Sequence, residues 1–230
     1  MRLSIVIPAY NEENRIGKTI RRIRDYIKED YELIVVNDCS TDNTLKILKN
    51  LKVNVLNNKS RRGKGFSVRR GFLHCKGDYA LISDADLSTP ISEIEKLKKY
   101  LPEYDIAIAS RKKKDSKITE KQPIWRIFAG NIFPILVRLL LIGDIKDTQC
   151  GFKLFNVSKC KEIFEKQTLD GFCYDVEILF NAKKHNLRIK EIGVHWNNDS
   201  ETKLNLVKDS VRMFVDLIKI RVNNLRGLYN

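Results

Sequence analysis

The chain has 230 residues, of which 43% are hydrophobic and 31% are charged, a balance typical of a globular protein with an apolar core. Its formal net charge of +14 favours an anionic partner: a phosphate-bearing substrate, a nucleic acid or an anionic membrane surface. The five cysteines include no C-x-x-C pair, which argues against a disulfide framework or a zinc site and for a reducing compartment.

The first 110 residues alternate between short apolar runs and amphipathic segments. The apolar runs predict strands over 3–8, 32–37, 53–56, 79–83 and 105–110. Helices are predicted between them: one that starts at Asn11, one capped by Ser40 and Thr41, one over 66–74 and one opened by Pro90. This alternation predicts an α/β fold with a mostly parallel, doubly wound sheet, which binds ligands at the carboxyl ends of its strands.

The pattern changes beyond residue 110. The stretch 124–142 is apolar all round, which fits a buried helix or, as we favour, an element lying on a membrane surface. Short strands are predicted over 147–155 and 188–196, with a helix near 175–185 between them. The last helix, 206–222, has an apolar face that either packs on the domain or meets an anionic membrane. Its apolar residues are Val207, Val211, Phe214, Val215, Ile218 and Val222.

No stretch offers the roughly 20 uninterrupted apolar residues of a membrane-spanning helix. The longest candidate, 127–142, is interrupted by Asn131, Pro134 and Arg138. Met1 leads almost directly into the first apolar run, so we expect no signal peptide. The sequence therefore predicts a protein that can lie on a bilayer without crossing it.

Two carboxylates, Asp84 and Asp86, directly follow the apolar run 79–83. Their spacing of two aims both side chains the same way, and a divalent cation commonly offsets the repulsion between such close charges. Solvated turn aspartates are the alternative. Because Asp38 also follows a predicted strand, it could face the same crevice.

The loop Gly63-Lys64-Gly65 lacks both the dinucleotide fingerprint and the P-loop pattern. It could contact phosphates through Lys64 and backbone amides, or be a solvated basic turn. The three histidines have no ligand-like spacing, and no Ser-His-Asp order or nucleophile elbow is visible. Carboxylates, a cation and basic residues indicate transfer of a group from a phosphorylated donor.

Motifs along the whole chain resemble those of a known family. Pro8-Ala-Tyr-Asn-Glu12, Val36-Asn-Asp-Cys-Ser40-Thr-Asp-Asn-Thr44, Gly63-Lys-Gly65 with Arg69, and Asp84-Ala-Asp86 resemble the donor half of a family 2 glycosyltransferase of GT-A fold. Asp147-Thr-Gln-Cys-Gly-Phe-Lys-Leu-Phe155, Phe172-Cys-Tyr-Asp-Val-Glu-Ile-Leu179 and Trp196 followed by Thr202-Lys203-Leu204 resemble the dolichyl-phosphate sugar synthases. The dolichyl-phosphate glucosyltransferase branch is favoured, with the mannosyltransferase branch next. We expect one GT-A domain over 1–230, with a donor half (1–110) and an acceptor half (111–230).

The resemblance implies roles for particular residues. Asp84 and Asp86 would hold Mg²⁺ or Mn²⁺, and Asp86 would be catalytic through that ion. The nucleotide sugar would be bound by Pro8, Ala9, Tyr10, Glu12, Asp38, Lys64, Gly65, Arg69, Asp84, Ala85 and Gln149. Arg111, Arg126 and Lys203 would hold the acceptor phosphate, and Asp175 would orient the sugar or the acceptor.

Four positions depart from the family pattern. Ser88 stands where mannosyl-transferring relatives often have Gln, and Glu201-Thr202 precede Lys203 where Gly-Ser is usual. Asn37 replaces an aspartate common in the family, which makes Asp38 the better contact for the nucleotide base.

The resemblance implies inverting transfer of a hexose from a nucleotide diphosphate sugar to a polyprenyl (dolichyl) phosphate. UDP-glucose is the favoured donor, with mannose or N-acetylglucosamine as alternatives. A peripheral protein at the cytoplasmic face of a membrane is implied, contacting it through 124–142 and 206–222.

Two other classes are weighed against this hypothesis. A sugar-phosphate nucleotidyltransferase would show a glycine-rich basic signature after the first strand, where this chain has Ala9-Tyr10-Asn11-Glu12. A nucleic-acid-binding protein would account for the charge, but no aromatic residue interrupts the basic run 111–117. We expect no nucleic-acid partner.

Overall fold

A computed structural model describes residues 2–101, 103–119, 133–197 and 206–230, the last range without the side chains of 206–210. Its centre is a seven-stranded sheet of order β3-β2-β1-β4-β7-β5-β8. The strands are β1 (Leu3–Ala9), β2 (Tyr31–Asn37), β3 (Asn54–Asn57), β4 (Tyr79–Ile82), β5 (Ile106–Ser110), β7 (Lys153–Asn156) and β8 (Ile189–Gly193). Two short strands, β6 (Lys117–Ile118) and β9 (His195–Trp196), form a separate parallel pair.

Helices cover both faces of the sheet, and their bounds are as follows. They are α1 (Ile16–Tyr26), α2 (Thr44–Asn50), α3 (Lys64–Leu73), α4 (Ile94–Lys98), α5 (133–140), α6 (Val157–Glu165), α7 (Tyr174–Lys184) and α8 (Leu206–Leu225). A short 3₁₀ turn, Ile91–Glu93, precedes α4. The predicted α/β architecture is confirmed, with one antiparallel strand, β7, inserted between β4 and β5.

The sheet divides the core into two layers because the strands are buried on both faces. In β1, Ile5 and Ile7 belong to a cluster that includes Ile20 of α1. Val6 points the other way, into a cluster that includes Phe72 of α3. This two-sided burial explains why the strands appear in the sequence as continuous apolar runs.

The predicted starts of the first two helices are wrong, and for a common reason. α1 begins at Ile16 rather than at Asn11, and α2 begins at Thr44 with Asn43 as its cap. Asn11 accepts a hydrogen bond from the Thr41 N–H, at 2.9 Å, and donates its own N–H to Ser40 Oγ, at 3.0 Å. The polar residues predicted as caps instead tie together the loops after β1 and β2.

Two further boundaries differ from prediction. The strand predicted over 147–155 is observed only as β7, Lys153–Asn156, because residues 147–151 form a loop at the candidate site. Helix α6 was not predicted; it is capped by Asn156, whose side chain accepts the Lys159 N–H at 3.2 Å. The helix predicted near 175–185 is confirmed as α7.

Four of the six predicted apolar residues of the last helix are exposed, Val222 is half-buried, and the side chain of Val207 lies outside the described residues. Val211, Phe214, Val215 and Ile218 are 43–63% exposed, whereas Leu217 and Ile220 are buried in the core. In the described part of the stretch 124–142, residues 133–142, Ile135 and Leu139 are exposed while Val137 and Ile142 are buried, so burial of the whole stretch is wrong. Among the described helices, none combines the length and apolar character needed to cross a bilayer.

Candidate active site

The carboxylate pair lies just beyond β4, at the carboxyl edge of the sheet. Asp86 Oδ1 accepts the Ser88 N–H at 2.8 Å, and both carboxylates line a pocket with Ser88, Gly151 and Trp196. Burial, followed by the charge of Asp84, raises the pKa of Asp86. A site that disfavours the second negative charge in this way is suited to a hard divalent cation. Within the described ranges, no group of three or more His, Cys, Asp or Glu side chains could hold a metal. The pair could therefore supply only part of a coordination shell.

Lys64, the first residue of α3, reaches this pair. Its Nζ lies 2.6 Å from Asp84 Oδ1. Burial alone would lower the pKa of Lys64, but the charges of Asp84 and Asp175 outweigh it and raise the pKa, which keeps the lysine protonated. The amino terminus of α3 thus presents a cation to the acidic pocket.

The glycines beside Lys64 are required by close packing. Gly63 has a φ of +113°, and a Cβ there would lie 2.4 Å from the Asp170 carbonyl oxygen. A Cβ on Gly65 would lie 2.5 Å from the Leu169 carbonyl oxygen. The alternative of a solvated basic turn is therefore wrong, because the loop is clamped against residues 169–171.

Asp38 holds the same loop from the other side. Its carboxylate accepts hydrogen bonds from Asn58 Nδ2 and from the Arg62 and Gly63 N–H groups, at 2.7, 2.9 and 2.8 Å. Asp38 is 4% exposed. These hydrogen bonds show that Asp38 stabilises the conformation of the loop. Contact between Asp38 and a nucleotide base stays a prediction.

The end of β1 forms the opposite edge of the crevice. Pro8 and Ala9 lie in β1, and the Arg61 guanidinium lies over the Tyr10 ring, 4.1 Å from its centroid. The Glu12 N–H donates to Thr44 Oγ1 at 2.7 Å. The loops after β1 and β2 and the loop before α3 therefore meet at one edge of the sheet.

Arg111, directly after β5, is held by Asp147. Its Nε and Nη2 donate to the two carboxylate oxygens, each at 2.8 Å, and its N–H donates to Oδ2 at 2.9 Å. Burial would raise the pKa of Asp147, but the Arg111 charge outweighs it and lowers that pKa to about 2. The Arg111 guanidinium also lies 5.5 Å from the ring centroid of Trp196. A fixed cation therefore stands beside a residue that lines the acidic pocket.

A buried ion pair supports the back of the pocket. Lys153 pairs with Asp175 and donates to the Cys150 carbonyl oxygen at 2.6 Å, while both side chains are at most 5% exposed. Burial raises the pKa of Asp175, against the opposing charge of Lys153. Gly151 follows Cys150, and a Cβ there would lie 2.0 Å from Asp84 Oδ2. The ion pair thus holds the 150–151 backbone against Asp84.

Comparison with known proteins identifies the family. A model of glycosyl transferase family 2 matches residues 4–164. The chain belongs to glycosyl transferase family 2. It is therefore a glycosyltransferase, which replaces the nucleotidyltransferase and nucleic-acid-binding hypotheses.

Curated relatives of this glycosyltransferase align with nearly the whole chain and with about three quarters of their own lengths. The dolichyl-phosphate beta-glucosyltransferase of Saccharomyces cerevisiae is 37% identical over 99% of this chain and 76% of its own length. The enzymes of that name from Dictyostelium discoideum and Homo sapiens are 33% and 32% identical, each over 99% of this chain and over 76% and 77% of their own lengths.

Solved structures confirm the GT-A-like fold. Glucosyl-3-phosphoglycerate synthase from Mycobacterium tuberculosis in complex with UDP superposes with a TM-score of 0.71, at 19% identity, over 95% of this chain and 79% of its own. Its complex with Mn²⁺, UDP and glucosyl-3-phosphoglycerate gives a TM-score of 0.69 at 18% identity, over 96% and 79% of the two chains.

The remaining predicted site residues of this glycosyltransferase lie in different parts of the chain, and not all of them are described. Arg69 faces α6, where its Nη2 donates to the Glu165 carbonyl oxygen at 2.9 Å, and Ala85 is buried. Gln149 is half-buried in the loop between Asp147 and Cys150. Arg126 and Lys203 lie outside the described residues. Trp196 was not predicted as a site residue, although it lines the pocket.

Two supporting residues escaped prediction. Lys153 could have been noticed as a single charge in an apolar strand. Glu177 accepts hydrogen bonds from the Thr168 and Leu169 N–H groups at 2.9 and 2.8 Å, and from the Tyr229 hydroxyl at 2.6 Å. By holding residues 168–169, it supports the segment on which Gly65 packs. No local signal distinguishes it from a surface glutamate.

Proposed function

We propose that the chain transfers glucose from UDP-glucose to a polyprenyl phosphate, dolichyl phosphate in particular, at a membrane surface. The observation that carries the proposal is the similarity to dolichyl-phosphate beta-glucosyltransferases, which extends over 99% of the chain. That alignment includes both the donor crevice and Arg111. The M. tuberculosis synthase of the same fold was crystallised with UDP and Mn²⁺, which supports a uridine nucleotide and a divalent cation here.

On the donor side, Asp86 and Asp84 would hold Mg²⁺ or Mn²⁺. When bound, such a cation offsets the negative charge that develops on the departing nucleoside diphosphate. Lys64 and the amino-terminal N–H groups of α3 offer positive charge on the same side of the crevice. The Tyr10 and Asp38 loops would frame the nucleotide.

On the acceptor side, the nucleophile is an oxygen of the lipid phosphate. A phosphate monoester has its second pKa near about 6, so at neutral pH it is mostly ionised and needs no strong general base. It needs orientation instead. Arg111, fixed by Asp147, would supply it, with Arg126 and Lys203 as further cations. Attack opposite the leaving group would invert the anomeric carbon.

Asp175 is poorly suited to act as a base. It is buried and paired with Lys153, whose other hydrogen bond holds the Cys150 carbonyl group. Its role in this proposal is to position the 150–151 backbone behind Asp84, rather than to contact the sugar or the acceptor.

The exposed face of α8 would meet the membrane. Val211, Phe214, Val215 and Ile218 form its apolar part, and the exposed cations Arg212, Lys219 and Arg221 lie beside them. An apolar stripe bordered by cations is suited to an anionic bilayer surface. Ile135 and Leu139 of α5 add exposed apolar area in the acceptor half. This arrangement would bring the lipid phosphate to the protein.

The direct test is a transfer assay. Purified protein is incubated with Mn²⁺, a radiolabelled nucleotide sugar and dolichyl phosphate, and the organic-extractable label is counted. A panel of UDP-glucose, UDP-N-acetylglucosamine and GDP-mannose identifies the sugar. We expect extractable glucose that is lost in Asp86→Ala. The proposal fails if no donor yields a lipid product, or if Asp86→Ala transfers glucose as well as the wild type does.

A further inference from the structure

The carboxylate of Asp84 is paired with Lys64 through one oxygen and packed against Gly151 at the other. Lys64 Nζ lies 2.6 Å from Oδ1, and Gly151 lies so close to Oδ2 that a Cβ there would be 2.0 Å away. A divalent cation that binds Asp84 directly must therefore compete with the lysine. Asp86 also lines the pocket, but its described hydrogen bond comes from the Ser88 N–H and not from a cation.

Lys64 can leave Asp84 without disturbing the backbone. The loop that carries it is fixed on both sides, by Asp38 on the Gly63 N–H and by the Asp170 carbonyl oxygen on the Gly65 N–H, each at 2.8 Å. Only the four-carbon side chain has to rotate. As the first residue of α3, Lys64 stands where the helix N–H groups also attract an anion.

The position of the Lys64 ammonium group determines how much negative charge the pocket presents to a divalent cation. Asp84, Asp86 and Asp175 all act on the lysine, and Asp175 is already paired with Lys153. While Lys64 remains on Asp84, it offsets part of the charge that would attract a divalent cation. A diphosphate that draws the ammonium group away restores the full charge of the Asp84–Asp86 pair.

We infer that Lys64 is a displaceable counter-ion that couples nucleotide binding to metal binding. It competes with the divalent cation for Asp84 and transfers to the diphosphate when the nucleotide binds. The inference rests on the proposed function, since it assigns the nucleotide and the cation to this site. Coupling of this kind is reciprocal, so each ligand strengthens binding of the other by the same factor.

The test measures binding rather than turnover. Mn²⁺ affinity is measured by electron paramagnetic resonance of the free ion, with and without UDP, and UDP affinity is measured calorimetrically in EDTA. In Lys64→Gln, Mn²⁺ alone should bind roughly tenfold more tightly, UDP alone should bind several-fold more weakly, and the coupling between the two ligands should shrink by the same roughly tenfold factor. The loss of coupling is specific to a shared lysine, because a fixed positive charge would weaken Mn²⁺ binding and strengthen UDP binding without coupling the two.

Matched variants separate this effect from general charge and from misfolding. Lys76→Gln removes one exposed positive charge near the amino end of β4, at the opposite edge of the sheet, and should change neither affinity. Lys64→Arg keeps the charge and should keep Mn²⁺ binding weak in the absence of UDP. Thermal unfolding verifies that each variant is folded.

The outcomes also distinguish this inference from the proposed function. Suppose that the wild type binds Mn²⁺ and UDP together. If Lys64→Gln then leaves the Mn²⁺ affinity unchanged, or lowers the affinities for Mn²⁺ and UDP alike, the inference is overturned and the proposed function stands. If the wild type binds neither ligand, the proposed function itself fails. Should Lys64→Gln not fold, Lys64→Met replaces it with the same expected shifts.

Discussion

Asp147 holds Arg111 through three hydrogen bonds of 2.8–2.9 Å, one of them from the arginine backbone. A guanidinium held along two of its N–H groups has a fixed plane, so its remaining donors point in a set direction. Asp147 is 1% exposed, so under the proposed function it would act on the acceptor only through Arg111. It is a positioning residue, whose loss should be visible in acceptor kinetics rather than in donor binding.

We predict that Asp147→Asn lowers kcat/KM for the lipid phosphate about tenfold to a hundredfold and leaves UDP affinity unchanged. The amide retains the size of the side chain but loses the charge and one acceptor oxygen. Steady-state kinetics with varied dolichyl phosphate, together with UDP calorimetry, test this. Unaltered acceptor kinetics would show that Arg111 does not need Asp147 for its role.

The same substitution should reveal a pH-dependent contribution to stability. The pKa of Asp147 in the folded protein is about 2, below its ordinary value of 3.8. A carboxyl group with a lowered pKa stabilises the fold above its unfolded pKa, and this contribution disappears as the pH falls through the folded pKa. The free energy of unfolding of Asp147→Asn should thus lie about 2 kcal/mol below that of the wild type at pH 5–7.

This difference should narrow between about pH 4 and pH 2, as Asp147 becomes protonated in the unfolded and then in the folded state. Urea titrations of both proteins across the pH range measure it. A gap that widened toward acid would mean that the pKa of Asp147 is raised instead.

Gly151 allows a sharper test of the acidic pocket. In Gly151→Ala the new methyl group would lie 2.0 Å from Asp84 Oδ2, so the carboxylate has to move. We expect transfer activity and Mn²⁺ binding to fall at least about tenfold, because the carboxylate pair loses its geometry. Gly143→Ala is the control, since its new Cβ would meet nothing nearer than the Arg138 carbonyl oxygen at 3.7 Å. Equal activity of the two variants would place the metal site elsewhere.

The elements of the donor half were largely predictable, because their strands are buried on both faces and appear as apolar runs. The contacts of Asp84 were not predictable. Gly151 lies 67 positions away in the sequence and is brought next to Asp84 by the antiparallel pairing of β7 with β4. Motif spacing identified Asp84 and Asp86, but the Lys153–Asp175 pair depends on packing that no local pattern records. In α8 the sequence shows an apolar face but does not show whether that face contacts the core or the solvent. The residues of α8 that are buried in the core are instead Leu217 and Ile220, on a second face of the helix.

That exposed face of α8 provides the last prediction. Val215 and Ile218 are 43% and 48% exposed, so aspartate at both positions should leave the fold intact while placing two charges in the proposed bilayer contact. Loss of two apolar side chains, together with repulsion from anionic lipid, should lower the partition onto phosphatidylserine-containing vesicles by at least about tenfold.

Leu73→Asp is the matched control. Leu73 is an apolar residue with 37% exposure at the end of α3, outside the stripe, and its substitution should leave vesicle binding unchanged. Vesicle flotation measures the partition, and transfer to a short, water-soluble polyprenyl phosphate shows whether the active site survives. If Val215→Asp/Ile218→Asp loses transfer to vesicle-borne dolichyl phosphate but retains transfer to the soluble acceptor, α8 serves membrane contact. Unchanged flotation would remove α8 from the membrane interface, and loss of both reactions would assign the stripe to the catalytic domain instead.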